Sequence, residues 1–300
     1  MKNVFRTLGS VLLLSSAAIL VGCQTMDKPP WELPPGVKTA TVNGYPMAFV
    51  ERGSGPTVVL VHGALNDYRY WSPQLDSLSS RYRVVAVSLR HYYPEAWKGE
   101  GKFSIAQHSQ DLAAFIARLG EGPVDVVGWS RGGTVAVDMA HSHPELIRKL
   151  VLMDPAIYEL LPGGQKNDRR ANRARETQAF FGKGQMEEGL RFYFDSINGP
   201  GAWDRLPADQ RRNRLDNAWT VLGDLTDVET VTCEDIGRMQ MPVLLMAGEN
   251  SPAVLKNLRV TFQKCLPSAA SVTIPNANHQ MSRTNPAAFD AALIQFLSIR

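Results

Sequence analysis

The chain has 300 residues, 44% of them hydrophobic and 20% charged, with a formal net charge of +3. That length allows one large domain or two modest ones, with a sizeable core. Two of the positive charges, Lys2 and Arg6, fall in a leading segment expected to be removed, so the remainder is near neutral and no nucleic-acid partner is expected.

The N-terminal stretch MKNVFRTLGSVLLLSSAAILVGCQT runs from a short basic region through an apolar segment to small residues. This is the pattern of an export signal, too short and too rich in Ser and Gly for a comfortable membrane span. Its end, Leu20-Val21-Gly22-Cys23, resembles the lipobox of bacterial lipoproteins. The resemblance implies a signal peptide over residues 1–22 and lipidation of Cys23, and it makes the lipid anchor the route to the membrane. Gln24 stands where retention at the inner membrane would show Asp, so the expected location is the periplasm-facing cell envelope, at the outer membrane. Residues 23–38 contain Pro29, Pro30, Pro34 and Pro35 and read as an extended tether. The other two cysteines, Cys233 and Cys265, could bridge in an oxidising compartment or stand as unrelated buried thiols; sequence leaves both open.

From residue 39 onward, short apolar runs alternate with segments of helical period. Strands are expected at 45–51, 57–63, 83–89, 124–129, 150–154, 243–248 and 271–275. Helices are expected at 104–120, which starts on a serine and stops at a glycine, and at 285–299, with Pro286 in its first turn. Alternation of this kind, with strands apolar throughout, predicts an α/β class built on a mostly parallel sheet with helices on both faces. Residues 156–225 break the rhythm: they show no convincing strand, a charge run (KNDRRANRARE) and scattered aromatics including Phe180, Phe181, Tyr193, Phe194 and Trp203. They read as an inserted helical cap between two parts of the core, 39–155 and 226–300. The charge run is expected to be a solvated helix face, and the aromatics mostly packing, a few of them facing the covered cleft.

Gly128-Trp129-Ser130-Arg131-Gly132 follows a predicted strand and precedes a predicted helix, with Gly133 beyond it. In that context G-x-S-x-G is a nucleophile elbow, whose glycines let the backbone turn sharply and hold the serine hydroxyl above the sheet. Here the sequence resembles the α/β-hydrolase superfamily, from about residue 42 to the C-terminus. VHGALNDYRYW (61–71) looks like the superfamily's His-Gly loop, and IPNANHQM (274–281) like the loop that carries its catalytic histidine. The resemblance implies an α/β-hydrolase fold, Ser130 as nucleophile, His279 as its base, and an oxyanion hole from the backbone N–H groups of Ala64 and Arg131. No metal or organic cofactor is implied. His62 belongs to the His-Gly turn and reads as structural; His108, His141 and His143 lie on helices.

Two places depart from the superfamily pattern. Where an aspartate would follow the penultimate strand, MAGENSPAV puts Ser251. Two carboxylates could replace it: Asp154, at the end of LVLMD, ranked first, and Glu249, one residue after Gly248. The loop SLRHYYPEAW (88–97) is bulkier and more polar than expected and either lines the cleft or holds the insertion down. The Arg131 guanidinium either meets a partner carboxylate or salt-bridges on the surface, the latter preferred. The expected activity is acyl-enzyme hydrolysis of a small ester-type substrate, meaning a carboxylic ester, thioester, lactone or amide. The rival reading is a non-catalytic ligand-binding or envelope interaction protein on the same scaffold.

Overall fold

Runs of Val, Leu and Ile produce most of the strands. In chain order these are β1 (Lys38–Val42), β2 (Tyr45–Arg52), β3 (Thr57–Val61), β4 (Arg83–Val87), β5 (Val124–Trp129), β6 (Ile147–Met153), β7 (Val243–Gly248) and β8 (Ala270–Ile274). The computed structural model describes residues 29–162, 168–227 and 231–299. The expected signal peptide and Cys23 lie outside the described residues. The strands form one sheet in the order β1-β2-β4-β3-β5-β6-β7-β8. Pairing is antiparallel on both sides of β2 and parallel from β4 to β8, so β2 alone runs against the rest.

Every residue of β3, β5 and β7 is buried, as strands covered on both faces must be. The edge strand β1 was not among the expected strands, and it begins at Lys38, inside the stretch read as tether. Its sequence KTATV is only half apolar and half buried, so it carries little periodic signal. What builds it is the turn to β2: Asn43 and Gly44 sit at φ 48° and 72°, the positive pair that a two-residue hairpin demands.

Eleven helices accompany the sheet. They are α1 (Ser72–Leu78), α2 (Ile105–Leu119), α3 (Arg131–Ser142), α4 (Asp168–Gly182), α5 (Met186–Asn198), α6 (Ala208–Asp216), α7 (Thr220–Thr226), α8 (Cys233–Gly237), α9 (Ala253–Cys265), α10 (Met281–Thr284) and α11 (Pro286–Ser298) among the described residues. The termini of α2 follow its sequence: Ser104 Oγ accepts from the Gln107 N–H, and Gly120 closes the helix at φ 69°. At the other end of the chain, Lys149 Nζ reaches from β6 to the carbonyls of Phe296 and Leu297, at 3.0 and 2.8 Å, in the last turn of α11. A cation there satisfies acceptors that the helix cannot.

The side chains of β5 alternate between two cores. Val126 packs with Leu112 and Phe115 of α2 and Val135 of α3 on one face. Val127 and Trp129 pack with Leu78 of α1 and Phe289 and Leu293 of α11 on the other. Helices α4 to α7 have a third core of their own, centred on Trp203, Leu190 and Val221, into which Leu65 of the β3 loop inserts. The charge run read as solvated is divided in fact. Arg170 turns inward from α4, with an ion pair to Glu159 at 3.6 Å and a hydrogen bond to the carbonyl of Asp227 at 2.8 Å. Among the described residues no helix is long and apolar enough to cross a membrane.

Cys233, opening α8, is bonded to Cys265, closing α9, with Cα atoms 5.1 Å apart and a sequence separation of 32. A loop of that size loses enough chain entropy in the unfolded state to stabilise the fold by about 3–4 kcal/mol. The double variant Cys233→Ser/Cys265→Ser is expected to lose that amount in urea unfolding, and reductant is expected to shift the wild type but not the variant.

Candidate active site

Ser130 lies between the last residue of β5 and the first of α3, at φ 52° and ψ −118°, a backbone state that L-residues seldom adopt. Three backbone hydrogen bonds hold it there. Its N–H donates to the Met153 carbonyl at 2.9 Å, and its own carbonyl accepts from Thr134 at 3.1 Å and Ala156 at 3.3 Å. Glycine is required two residues on, because a Cβ at Gly132 would stand 2.3 Å from the His62 carbonyl oxygen and 2.5 Å from that of Val61. The close approach lets α3 start directly against the end of β3, and the serine side chain faces a cavity instead of the core.

His279 reaches the same cavity from the loop after β8. Its carbonyl accepts from Trp129 Nε1 at 2.8 Å, and its ring lies 5.2 Å from the indole, centroid to centroid, so the elbow's own tryptophan positions the histidine. The Nδ1 of His279 faces Asp154 Oδ2 at 3.2 Å. Asp154 follows β6, is fully buried, and itself sits at positive φ, 43°. Ser251 completes the group: its hydroxyl donates to Asp154 Oδ2 at 2.6 Å and accepts from the Gly248 N–H at 3.0 Å. The side chain at the position where the superfamily pattern puts an aspartate thus hydrogen-bonds the Asp154 carboxylate. Glu249 does not join them; it is exposed and its carboxylate accepts from the Asn276 N–H at 2.8 Å.

A profile described as alpha/beta hydrolase fold matches residues 56–286. The chain belongs to that family. Among curated relatives, an uncharacterised protein of Mycobacterium tuberculosis (strain H37Rv) is 32% identical over 120 residues, which is 40% of this chain and 35% of that one. The chain therefore spans only about a third of that relative's length. The 2-(acetamidomethylene)succinate hydrolase of Mesorhizobium japonicum is 24% identical over 82% of this chain and 90% of its own. Among solved structures, a carboxylesterase of Bacillus subtilis superposes with a TM-score of 0.71 at 21% identity, covering 89% of this chain and 93% of its own.

Within this hydrolase fold, Ala64 lines the cavity beside Ser130, and Arg131 is the first residue of α3, whose N–H has no acceptor inside the helix. The loop bearing Ala64 is fastened by His62, which is fully buried. Nε2 of His62 accepts from the Leu89 N–H at 3.0 Å, which assigns the proton to Nδ1, 2.8 Å from the Gly63 carbonyl. Burial pushes this imidazole down from 6.5 to about 4, so it stays neutral in the fold.

The Arg131 side chain corrects the surface expectation. It is buried, and its Nε lies 2.8 Å from Asp224 Oδ1 while an Nη lies 3.0 Å from Asp227 Oδ2, both in or beside α7 of the cap. Burial raises the Asp224 carboxyl to about 6 despite that pairing. The loop at 88–97 holds the cap too: the Tyr92 hydroxyl is 3.2 Å from Asp224 Oδ1, and the Tyr93 N–H donates to Asn217 at 2.7 Å. None of Arg90, His91, Tyr92 and Tyr93 lines the cavity. That space, about 580 Å³, is roofed instead by Tyr193, Phe194 and Ile197 of α5 and by Arg214 of α6. Sequence reading passed over Ser251 as an active partner, and it passed over Arg214, which sits in a charged stretch that looks solvated. Among the described residues no group of three or more His, Cys, Asp or Glu side chains could hold a metal ion.

His62 gives a pH signature. Because its folded pKa is depressed, the stability it lends is complete above its unfolded value of 6.5 and is lost as pH falls toward 4, a total of roughly 3 kcal/mol. The stability gap between wild type and His62→Gln, measured by urea unfolding at pH 7 and pH 4.5, is expected to narrow at the lower pH. A gap independent of pH would remove His62 as the sensor.

Proposed function

We propose that the protein is a serine hydrolase that cleaves small ester-type substrates through an acyl-enzyme. The observation that carries this reading is the meeting of the strained Ser130 elbow and His279 at one cavity, with Asp154 buried behind the histidine Nδ1. With Nδ1 turned to Asp154, His279 keeps a lone pair on Nε2, and that nitrogen takes the Ser130 proton as Oγ attacks the carbonyl carbon. Asp154 stabilises the imidazolium that results, and its Ser251 hydrogen bond keeps its Oδ2 in place. The backbone N–H groups of Ala64 and Arg131 receive the oxyanion, an arrangement that acts most strongly in a site shielded from water. The tetrahedral adduct collapses with His279 protonating the leaving alcohol, and water, deprotonated by the same nitrogen, then releases the acid.

The names of the similar proteins, hydrolase and carboxylesterase, support the reaction class at the level of the fold. Read with the lipobox resemblance, the chain would work as a lipid-anchored enzyme on the periplasmic face of the cell envelope.

A fluorophosphonate probe is expected to label the protein truncated after Cys23 and to lose that labelling in Ser130→Ala and His279→Ala. Asp154→Asn is expected to lower kcat/KM on an ester that the wild type cleaves by about 10³–10⁴, while Glu249→Gln stays within about twofold. A folded wild type that takes no label would put the ligand-binding reading first.

A further inference from the structure

The cavity holding Ser130 and His279 has a one-sided charge balance: among the described residues its lining includes Arg205 and Arg214 and no aspartate or glutamate. The two arginines differ in setting. Arg205 is exposed, and its Nη1 donates to the Pro200 carbonyl at 3.1 Å. Arg214 is 2% exposed. Its Nη1 donates to the Gln210 carbonyl of its own helix at 2.8 Å, and its guanidinium carbon lies 5.1 Å from the centre of the Phe194 ring, another wall of the cavity. Among the described residues no carboxylate forms an ion pair with it. Asp216, two residues along, pairs with Arg69 and Arg212 instead.

Arg131 shows the usual solution for a guanidinium this buried, with two carboxylates against it. Arg214 has the burial without the counter-ions. Desolvation pulls it down to about 10, which still leaves it charged at neutral pH. A buried charge of this kind is costly unless an anion meets it. Arg214 borders the cavity of Ser130 and His279, whose other polar lining, Arg205 aside, includes the neutral amides of Asn66, Asn198, Asn250 and Asn278.

We propose that Arg214 binds a carboxylate of the substrate, so that the preferred substrates are small esters carrying one free carboxylate besides the scissile group. This rests on the serine-hydrolase reading for the chemistry and on the cap for the specificity. A guanidinium presents a planar fork of donors that matches a carboxylate, and one buried cation matches one negative charge.

The test compares methyl pentanoate with monomethyl glutarate, which differ only by a terminal methyl against a carboxylate, each followed by pH-stat. Wild type is expected to favour the anionic ester by about tenfold or more in kcat/KM. Arg214→Gln is expected to bring that ratio to about one, and Arg214→Lys to retain part of it; the ratio is internal, so partial loss of folded enzyme does not alter it. Wild type without the preference, or Arg214→Gln with the full preference, would overturn the proposal. A second arm needs neither turnover nor a variant: calorimetric titration of wild type with glutarate and with neutral glutaramide. Glutarate is expected to bind at least about tenfold more tightly, and equal binding would also overturn the assignment. If neither ester is cleaved and no fluorophosphonate label is taken, the serine-hydrolase reading has failed, and the titration alone decides the Arg214 site.

Discussion

Ser130 is held at positive φ because its neighbours on three sides leave the backbone no other course. The Met153 carbonyl takes its N–H, Thr134 and Ala156 both donate to its carbonyl, and the end of β3 presses on α3 so closely that position 132 has no room for a side chain. Strain of this sort costs on the order of 1–3 kcal/mol and survives only where the surroundings over-determine it. Here they do so with the strands themselves, since the contacts come from the ends of β3 and β6 and from the first turns of α3. The turn also fixes Trp129, which stacks on Tyr70 at 4.1 Å and reaches the His279 carbonyl. Ser130 and His279 are therefore referred to one rigid corner of the sheet.

Asp154 meets His279 from the end of a different strand than the one where the superfamily pattern puts its aspartate. Histidine needs a carboxylate oxygen near Nδ1, and the ends of adjacent parallel strands β6 and β7 both reach that point. In this chain β6 contributes the charge through Asp154, and β7 contributes a hydroxyl through Ser251, whose hydrogen bond to Asp154 Oδ2 ties the two loops together. A neutral partner suits the position, because a second carboxylate there would face the first across hydrogen-bonding distance.

Much of this was legible from residues alone, and the limits are physical. The parallel core announced itself through strands apolar throughout, the elbow through its glycines, and the helix over 105–119 through a serine and a glycine at its two ends. Asp154 and His279 could be named because the resemblance to the superfamily points to the loops after those two strands. Strand β1 stayed hidden because an edge strand need not be apolar, and only the Asn43-Gly44 turn hints at it. The inward-facing arginines were harder still. Arg131, Arg170 and Arg214 look like surface charges in a one-dimensional string, because the carboxylates or cavity that receive them come from distant parts of the chain. Arg131 and Asp227, for instance, are 96 residues apart. Burial of charge is a tertiary property, and periodicity does not report it.

The pairing of Arg131 with Asp224 and Asp227 ties the cap to the residue that directly follows Ser130. Core and cap are consequently not interchangeable parts. Transplanting the cap of another such fold onto this core would leave a buried guanidinium facing foreign side chains, at a penalty of about 3–5 kcal/mol, at the first residue of α3. A recombinant of that kind would need position 131 redesigned together with the insertion, so any family history of cap exchange in this lineage should be written as paired changes at those two places.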